Sequence, residues 1–216
     1  MKILAKIIGS AIATLILIAS GPANAGNADS LNALQQRWAE VNYQLEGKDQ
    51  LTAFEQLIDK ANSLTSQQPG NAPLLTWSGI IKSTYAGAKG GLGALKYAKA
   101  SKEDLEKAID IDPQALDGSA LTSLGTLYFS VPGWPIGFGD DKKAKELLRK
   151  ALVINPHGID PNYFFAQFLQ DQGDFSEAYR YYEKALQAEP RPTRPLADKG
   201  RRDEIHRAML KLNEKL

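Results

Sequence analysis

The fold of this chain is decided by one stretch of sequence, Ile159–Pro190, which reads IDPNYFFAQFLQDQGDFSEAYRYYEKALQAEP. Apolar residues recur through it at steps of three and four, the spacing of one face of an α-helix. Gly173 interrupts the run near its middle, where a turn is expected, and Pro190 ends it. Ala166 and Ala178 are small enough to let two helices approach closely. The stretch therefore predicts a pair of antiparallel helices joined at Gly173.

Three earlier segments carry weaker copies of this pattern. The copy nearest to it contains Leu124-Gly125 and Tyr128 in its first helix and Ala144 and Leu148 in its second. The pattern resembles the tetratricopeptide repeat (TPR), a helix hairpin of about 34 residues. The resemblance implies an all-α fold, a TPR-type α-solenoid of about four irregular helix hairpins with a C-terminal capping helix. The repeats span about residues 35–69, 72–113, 118–156 and 159–190.

Two of the repeats contain extra residues between their helices. The second is expanded around Gly87–Gly93, and the third through Val131–Phe138, whose sequence VPGWPIGF is apolar and aromatic. Connections between helices are usually short and polar. We therefore expect Trp134, Ile136 and Phe138 either to cover the core as a lid or to form an exposed contact patch, and the sequence leaves both open.

A capping helix is predicted over about residues 196–214, with one apolar and one basic face. The last hairpin of a solenoid has no neighbour, so a cap with a polar outer face is expected there. We expect the basic face to point into solvent. The apolar face carries Ile205, Ala208, Met209 and Leu212, and the basic face carries Arg201, Arg202, Arg207 and Lys211.

Residues 1–25 are predicted to be a cleavable signal peptide. A positive start is followed by the apolar run Ile7–Ala19 and by the small-residue triplet Ala23-Asn24-Ala25. The apolar run is shorter than the about 20 residues of a membrane-spanning helix, although an uncleaved anchor is the alternative. We therefore expect residues 26–216 to be a mature solenoid, soluble in the periplasm and not inserted in the membrane.

Composition excludes several classes of function. The chain has no cysteine, which excludes disulfides, thiolate metal sites and a lipoprotein anchor. Lysine and arginine number 26 and aspartate and glutamate 25, so the net charge of +1 gives no strong attraction to nucleic acid. His157 and His206 stand apart, and no hydrolase or metalloprotease motif occurs. We expect no enzyme activity, no catalytic residues, no cofactor and no metal site.

The repeat register predicts which side chains line the concave groove of the solenoid. They are mostly aromatic or hydroxylic, which suits an apolar ligand or a helix or loop of a protein partner. The groove residues predicted in this way include no lysine or arginine, so no clamp for a terminal carboxylate is expected. For Trp77 and Phe164, a place in the core is an equal alternative. The predicted partner- or ligand-binding residues, including two from the expanded loop, are Tyr43, Trp77, Thr126, Phe129, Trp134, Phe138, Tyr163, Phe164 and Gln167.

The signal peptide, the four irregular hairpins, the expanded loops and the C-terminal cap together resemble the periplasmic T component of TRAP-type transporters. In that family a TPR protein forms a ring and associates with a periplasmic substrate-binding protein to handle hydrophobic ligands. Two main functions follow: a periplasmic TPR scaffold that binds a protein partner through its concave face and expanded loops, or a T-component-like accessory that handles an apolar ligand with a periplasmic binding protein. An enzyme or envelope-assembly factor of unrecognised type is a third alternative, and homo-oligomerisation stays open.

Overall fold

The structure, a computed structural model, describes residues 22–215, and these form nine α-helices and no strand. The helices are α1 (Pro22–Gln44), α2 (Gly47–Gln67), α3 (Ala72–Lys89), α4 (Leu95–Ile111), α5 (Ala115–Ser130), α6 (Asp141–Ile154), α7 (Ile159–Asp171), α8 (Phe175–Leu186) and α9 (Pro195–Asn213). A short 3-10 helix, Leu92–Ala94, precedes α4. The predicted signal peptide lies outside the described residues as far as residue 21. No helix within residues 22–215 is long and apolar enough to cross a membrane.

Eight of the helices pair in chain order into four hairpins, α1 with α2, α3 with α4, α5 with α6 and α7 with α8. Consecutive hairpins stack, because each first helix also contacts the first helix of the next hairpin. This arrangement confirms the predicted fold class, an all-helical TPR-like stack of hairpins.

Each hairpin is held together by one recurring packing pattern on its second helix. Three buried residues follow one another at steps of four and three, and the middle one is large. In two hairpins the large residue, Leu105 or Leu148, packs against a glycine on the first helix, Gly79 or Gly125. The hairpins can therefore pack closely only where the facing residue is small. The triplets are Phe54, Ile58, Ala61; Ser101, Leu105, Ala108; Ala144, Leu148, Ala151; and Ala178, Tyr182, Ala185.

Side-chain caps fix where several of these helices begin. Asn71 accepts a hydrogen bond from the backbone N–H of Leu74 at the start of α3, at 3.1 Å. Asp140 does the same for Lys143 at the start of α6, at 3.0 Å. Such caps satisfy backbone donors that a helix cannot satisfy itself.

Helix α9 differs from its predicted role as a simple cap. Its apolar face does pack on the last hairpin, where Ile205 and Leu212 are fully buried. The opposite face was expected to point into solvent, but Arg201 is only 8% exposed. Gly200 packs against the ring of Tyr43 at the end of α1. The prediction for this face is therefore wrong at Arg201, which is covered because α9 lies between the last hairpin and the first, whereas Arg207 and Lys211 are exposed as expected.

Candidate functional site

The concave side of the solenoid forms an open cavity of about 910 Å3. The first helices of the four hairpins, α1, α3, α5 and α7, supply most of its wall. Helix α9, which contacts both α7 and α1, supplies a further wall. Small-molecule sites in proteins typically have volumes of about 300–1,000 Å3. The cavity therefore has the volume of a small-molecule site.

Two tryptophans form the aromatic part of the wall. Trp38 and Trp77 meet edge to face, with ring centroids 5.6 Å apart. The indole N–H of Trp38 donates a hydrogen bond to Thr84 Oγ1 at 3.0 Å, which fixes its orientation. The guanidinium group of Arg194 lies over the ring of Trp77 at 4.8 Å from its centroid. A cation over an indole face is favoured by the negative charge of that face.

A second part of the wall is rich in hydroxyl groups, and five of them already donate to a carbonyl of their own helix, those of Ser83, Thr84, Ser119, Thr122 and Thr126. Thr84 donates to the carbonyl of Ile80 at 2.8 Å, and Thr126 donates to the carbonyl of Thr122 at 2.9 Å. These bonds run within each residue's own helix. These five hydroxyls therefore offer acceptor lone pairs to the cavity and need no bound water as an acceptor. Serines and threonines at the cavity are Ser83, Thr84, Ser119, Thr122, Ser123, Thr126 and Ser130.

An ionic cluster joins α9 to α7 at one side of the cavity. Arg201 contacts Asp160 at 2.9 Å and Glu204 at 2.5 Å. Arg191 contacts the same Asp160 at 2.6 Å and Asp198 at 2.6 Å. Burial alone would raise the pKa of Asp160, but the guanidinium groups of Arg201 and Arg191 outweigh it and hold that pKa below its usual range. Asp160 is therefore ionised and binds α9 to α7.

Arg194 lines the cavity but has no ion pair with any carboxylate among the described residues. Its Nε is one of three buried side-chain nitrogen or oxygen atoms in this part of the chain that have no hydrogen-bond partner. Burial, with the repulsion of Arg191, lowers the pKa of Arg194 to about 10, so the group still carries a positive charge at neutral pH. The cavity wall therefore contains a cation without a counter-ion of its own.

The predicted site residues divide between the cavity and other places. Trp77, Thr126, Tyr163, Phe164 and Gln167 line the cavity. The other four do not line it.

Tyr43 and Phe129 are not cavity residues because another helix covers each of them. The ring of Tyr43 lies against Gly200 of α9 and edge to face with Trp38. Phe129 packs edge to face with Phe168 of α7, at 5.7 Å between centroids. In both residues the repeat register gave the correct helix, but it could not show which neighbouring element covers the side chain.

In the expanded loop of the third hairpin, one of the three predicted side chains packs on the core and the other two are exposed. Phe138 packs edge to face on Tyr128 at 5.6 Å and so covers part of the core. Trp134 is 89% exposed and Ile136 is 63% exposed. Val131 and Ile136 also line the cavity, so the loop forms part of its rim.

Several residues of the cavity wall were not predicted from the sequence, among them Trp38, Arg194 and Arg201. The expectation of a groove without lysine or arginine is therefore wrong. Arg194 stands just before α9 and Arg201 lies within it, so the register of the hairpins gave no information about either.

No catalytic or metal-binding group is apparent in the described part of the chain. His157 and His206 are both exposed. Within residues 22–215 no three histidine, cysteine, aspartate or glutamate side chains come together in a way that could hold a metal ion.

Comparisons with known proteins agree with the helical hairpins described above. The family model "Tetratricopeptide repeat" matches residues 92–115 and 159–192. No curated protein matches the sequence.

Several solved structures are similar to this fold. One is the crystal structure of TTC0263, a thermophilic TPR protein in Thermus thermophilus, with 16% sequence identity and a TM-score of 0.56 over 85% of this chain and 98% of that one. Two crystal structures of MamA have TM-scores of 0.45 and 0.44 and identities of 20% and 18%. They cover 76% and 84% of this chain and 89% and 91% of their own. The chain therefore contains two segments that match the tetratricopeptide repeat, within an all-helical TPR-like fold.

Proposed function

We propose that this protein is a periplasmic TPR scaffold that binds a protein partner through its expanded loop and the adjoining rim of the concave face. The observation that carries the proposal is the exposure of Trp134, at 89% of its surface. Tryptophan is enriched among the residues that dominate binding energy at protein interfaces. An exposed tryptophan beside an exposed isoleucine is a good anchor for a partner.

The backbone of the loop is held in place while its apolar side chains are exposed. Gly139 donates a hydrogen bond to the carbonyl of Pro132 at 3.0 Å, and Asp140 donates to the carbonyl of Tyr128 at 2.8 Å. A loop that is already ordered loses little conformational entropy on binding. The loop is therefore preorganised for contact.

Substitution of Trp134 by alanine tests this role. We expect Trp134→Ala to reduce partner binding by more than about 2 kcal/mol, as at interface hot spots. The melting temperature should stay unchanged, because the side chain has few contacts to lose. A photo-crosslinking residue at position 134, used in cells, should label one dominant protein.

The matched control is Val153→Ala, which removes a different apolar side chain that is 83% exposed. Its binding should equal that of the wild type. If Trp134→Ala binds the crosslinked protein as well as Val153→Ala does, the loop is not the contact site.

The periplasmic location rests on the predicted signal peptide. The first fully buried side chain of α1 among the described residues is Leu34, so cleavage after Ala25 removes none of the described core. Mass spectrometry of the exported protein should find Gly26 at the N-terminus without lipid. An intact Met1 in the membrane fraction would contradict both the cleavage and the location.

A second function, as a T-component-like accessory that handles an apolar ligand with a periplasmic binding protein, is supported by the cavity. Its volume and its tryptophans suit such a ligand. Native mass spectrometry of the purified protein should detect a bound small molecule. Thr126→Phe should displace it, because the larger side chain fills part of the cavity. Absence of any bound or added ligand would remove this second function and leave the first intact.

A further inference from the structure

We propose that the cavity binds a small amphiphilic carboxylic acid, with its carboxylate on Arg194 and its apolar body against Trp77, Ile80 and Leu127. The inference rests on the second proposed function, that the cavity holds a ligand, and it specifies the chemical class of that ligand.

The first step is the charge balance of the wall. The carboxylates that line the cavity, those of Asp160 and Glu204, both already contact Arg201. The guanidinium group of Arg194, which also lines the cavity, has no ion pair and no side-chain hydrogen bond in the described chain. A guanidinium group without a partner gains free energy when a ligand supplies an acceptor to those of its N–H groups that face the cavity. A negatively charged acceptor gains the most.

The second step concerns the geometry around Arg194. Its guanidinium carbon lies over Trp77, 4.8 Å from the ring centroid. A guanidinium group is planar and presents its N–H groups to an acceptor along the edge of that plane. A carboxylate matches that edge, since two parallel N–H groups can bind its two oxygens.

The third step concerns the number of negative charges. Asp160 and Glu204 line the same cavity as Arg194. A second negative charge on the ligand would be repelled by these carboxylates without another unpaired cation to balance it. A monoanion is therefore favoured over a dianion such as a phosphate monoester.

The fourth step concerns the rest of the ligand. Apart from the ionic side, the wall combines apolar side chains with hydroxyls, five of which donate within their own helices. Such a surface forms few hydrogen bonds with a polar ligand, so polar groups add little to the binding free energy. An apolar body contributes favourable free energy when it leaves water. The ligand is thus apolar except at its acid group.

Dodecanoate and 1-dodecanol, which share one alkyl chain and differ in the acid group, are suitable probes for the full exported protein. Binding can be followed by isothermal titration and by the fluorescence of the cavity tryptophans. We expect dodecanoate to bind at least about tenfold more tightly than the alcohol, because one hydrogen bond between charged groups contributes about that factor in affinity. Dodecyl phosphate should bind less tightly than dodecanoate at a pH where it is a dianion.

The variant Arg194→Gln should weaken dodecanoate binding about tenfold and leave dodecanol binding unchanged. Arg194→Lys should retain part of the preference for the acid, because it keeps the charge. The control Arg207→Gln removes an exposed arginine from α9, the helix that begins just after Arg194, and should behave like the wild type. If Arg194→Gln does not fold, the affinities of the wild type and of Arg194→Lys for the acid, the alcohol and the phosphate still test the carboxylate site.

Two negative results have different meanings. Equal binding of acid and alcohol, an unchanged acid preference in Arg194→Gln, or tighter binding of the dianion would overturn the carboxylate site while the ligand cavity stands. Binding of none of the three probes would overturn the second proposed function together with this inference.

Discussion

The size of single residues sets how closely the two helices of each hairpin can pack. At Gly79 a Cβ atom would lie 2.5 Å from Cγ of Leu105, and at Gly125 it would lie 2.8 Å from Cγ of Leu148. In the last hairpin Ala166 and Ala178 are both fully buried. These are the small positions that the repeat pattern identifies, and here the sequence and the packing correspond residue by residue.

Ala178→Leu tests this correspondence at one buried position of α8. Three more heavy atoms cannot fit between the helices without displacing neighbours, and overpacking of this kind typically costs about 1–3 kcal/mol. We expect a clearly lower melting temperature in a thermal scan. The control is Ser176→Leu, the same new side chain at an exposed position of the same helix. Equal melting temperatures for the two variants would mean that the hairpin interface lies elsewhere.

At the scale of elements, α9 shows where the repeat pattern stops being informative. The pattern places hairpins because each carries its own small and large residues at fixed spacing. Helix α9 has an apolar stripe that correctly indicates burial of Ile205 and Leu212. Its basic face gave no indication of burial, because arginines on a helix usually face solvent. Arg201 is covered here because α9 also meets α1, a contact between distant parts of the chain, whereas Arg207 and Lys211 further along the helix are exposed.

The expanded loop shows a similar limit. Its composition indicated that Trp134, Ile136 and Phe138 are unusual for a connection, but not which of them is buried. Phe138 is partly buried because the connection that leads into α6 places its ring against Tyr128. Of the site, the residues on the first helices could be predicted from the register. The residues that α9 contributes could not.

Gly200→Leu tests the contact between α9 and α1. A Cβ atom at Gly200 would lie 2.4 Å from Cε1 of Tyr43, so a leucine must push the two helices apart. The gain in helix propensity over glycine is only about 1 kcal/mol and does not offset the loss of the contact. We expect faster amide hydrogen exchange in α9 and weaker ligand binding in the cavity.

The matched control for this element is Lys199→Leu, which places leucine at the adjacent exposed position. It should exchange like the wild type, because it faces solvent and breaks only an exposed ion pair with Asp203. If Gly200→Leu leaves α9 as protected as Lys199→Leu does, α9 is not held by α1.

At the scale of the whole molecule, α9 adds a further wall to the cavity on the concave side of the stacked hairpins. The apolar contacts on its two faces belong to different hairpins, and the ionic cluster fixes its position against α7. Asp160 is central to this cluster because it forms ion pairs with two arginines, Arg191 just before α9 and Arg201 within α9. The stability of this wall should therefore depend on the charge of one carboxylate.

Asp160→Asn and the pH dependence of unfolding test that dependence together. The positive groups that face Asp160 are Arg201, Arg191 and Arg194, and against the opposing effect of burial they hold its pKa below the ordinary value in the folded state. A depressed folded pKa contributes stability that is fully present above the unfolded pKa, about 3.9, and is lost as the pH falls through the folded pKa. At pH 7 we expect Asp160→Asn to unfold more easily by about 1–3 kcal/mol, because charged hydrogen bonds to two arginines are weakened. The difference in the free energy of unfolding between wild type and variant, measured by urea unfolding, should stay constant from pH 7 to pH 5 and shrink below pH 4.

The control Asp203→Asn removes a carboxylate from an exposed ion pair on α9 and should have little effect at pH 7. A wild-type advantage that is absent at pH 7, or that persists undiminished at pH 2, would show that the Asp160 charge does not hold α9 in place.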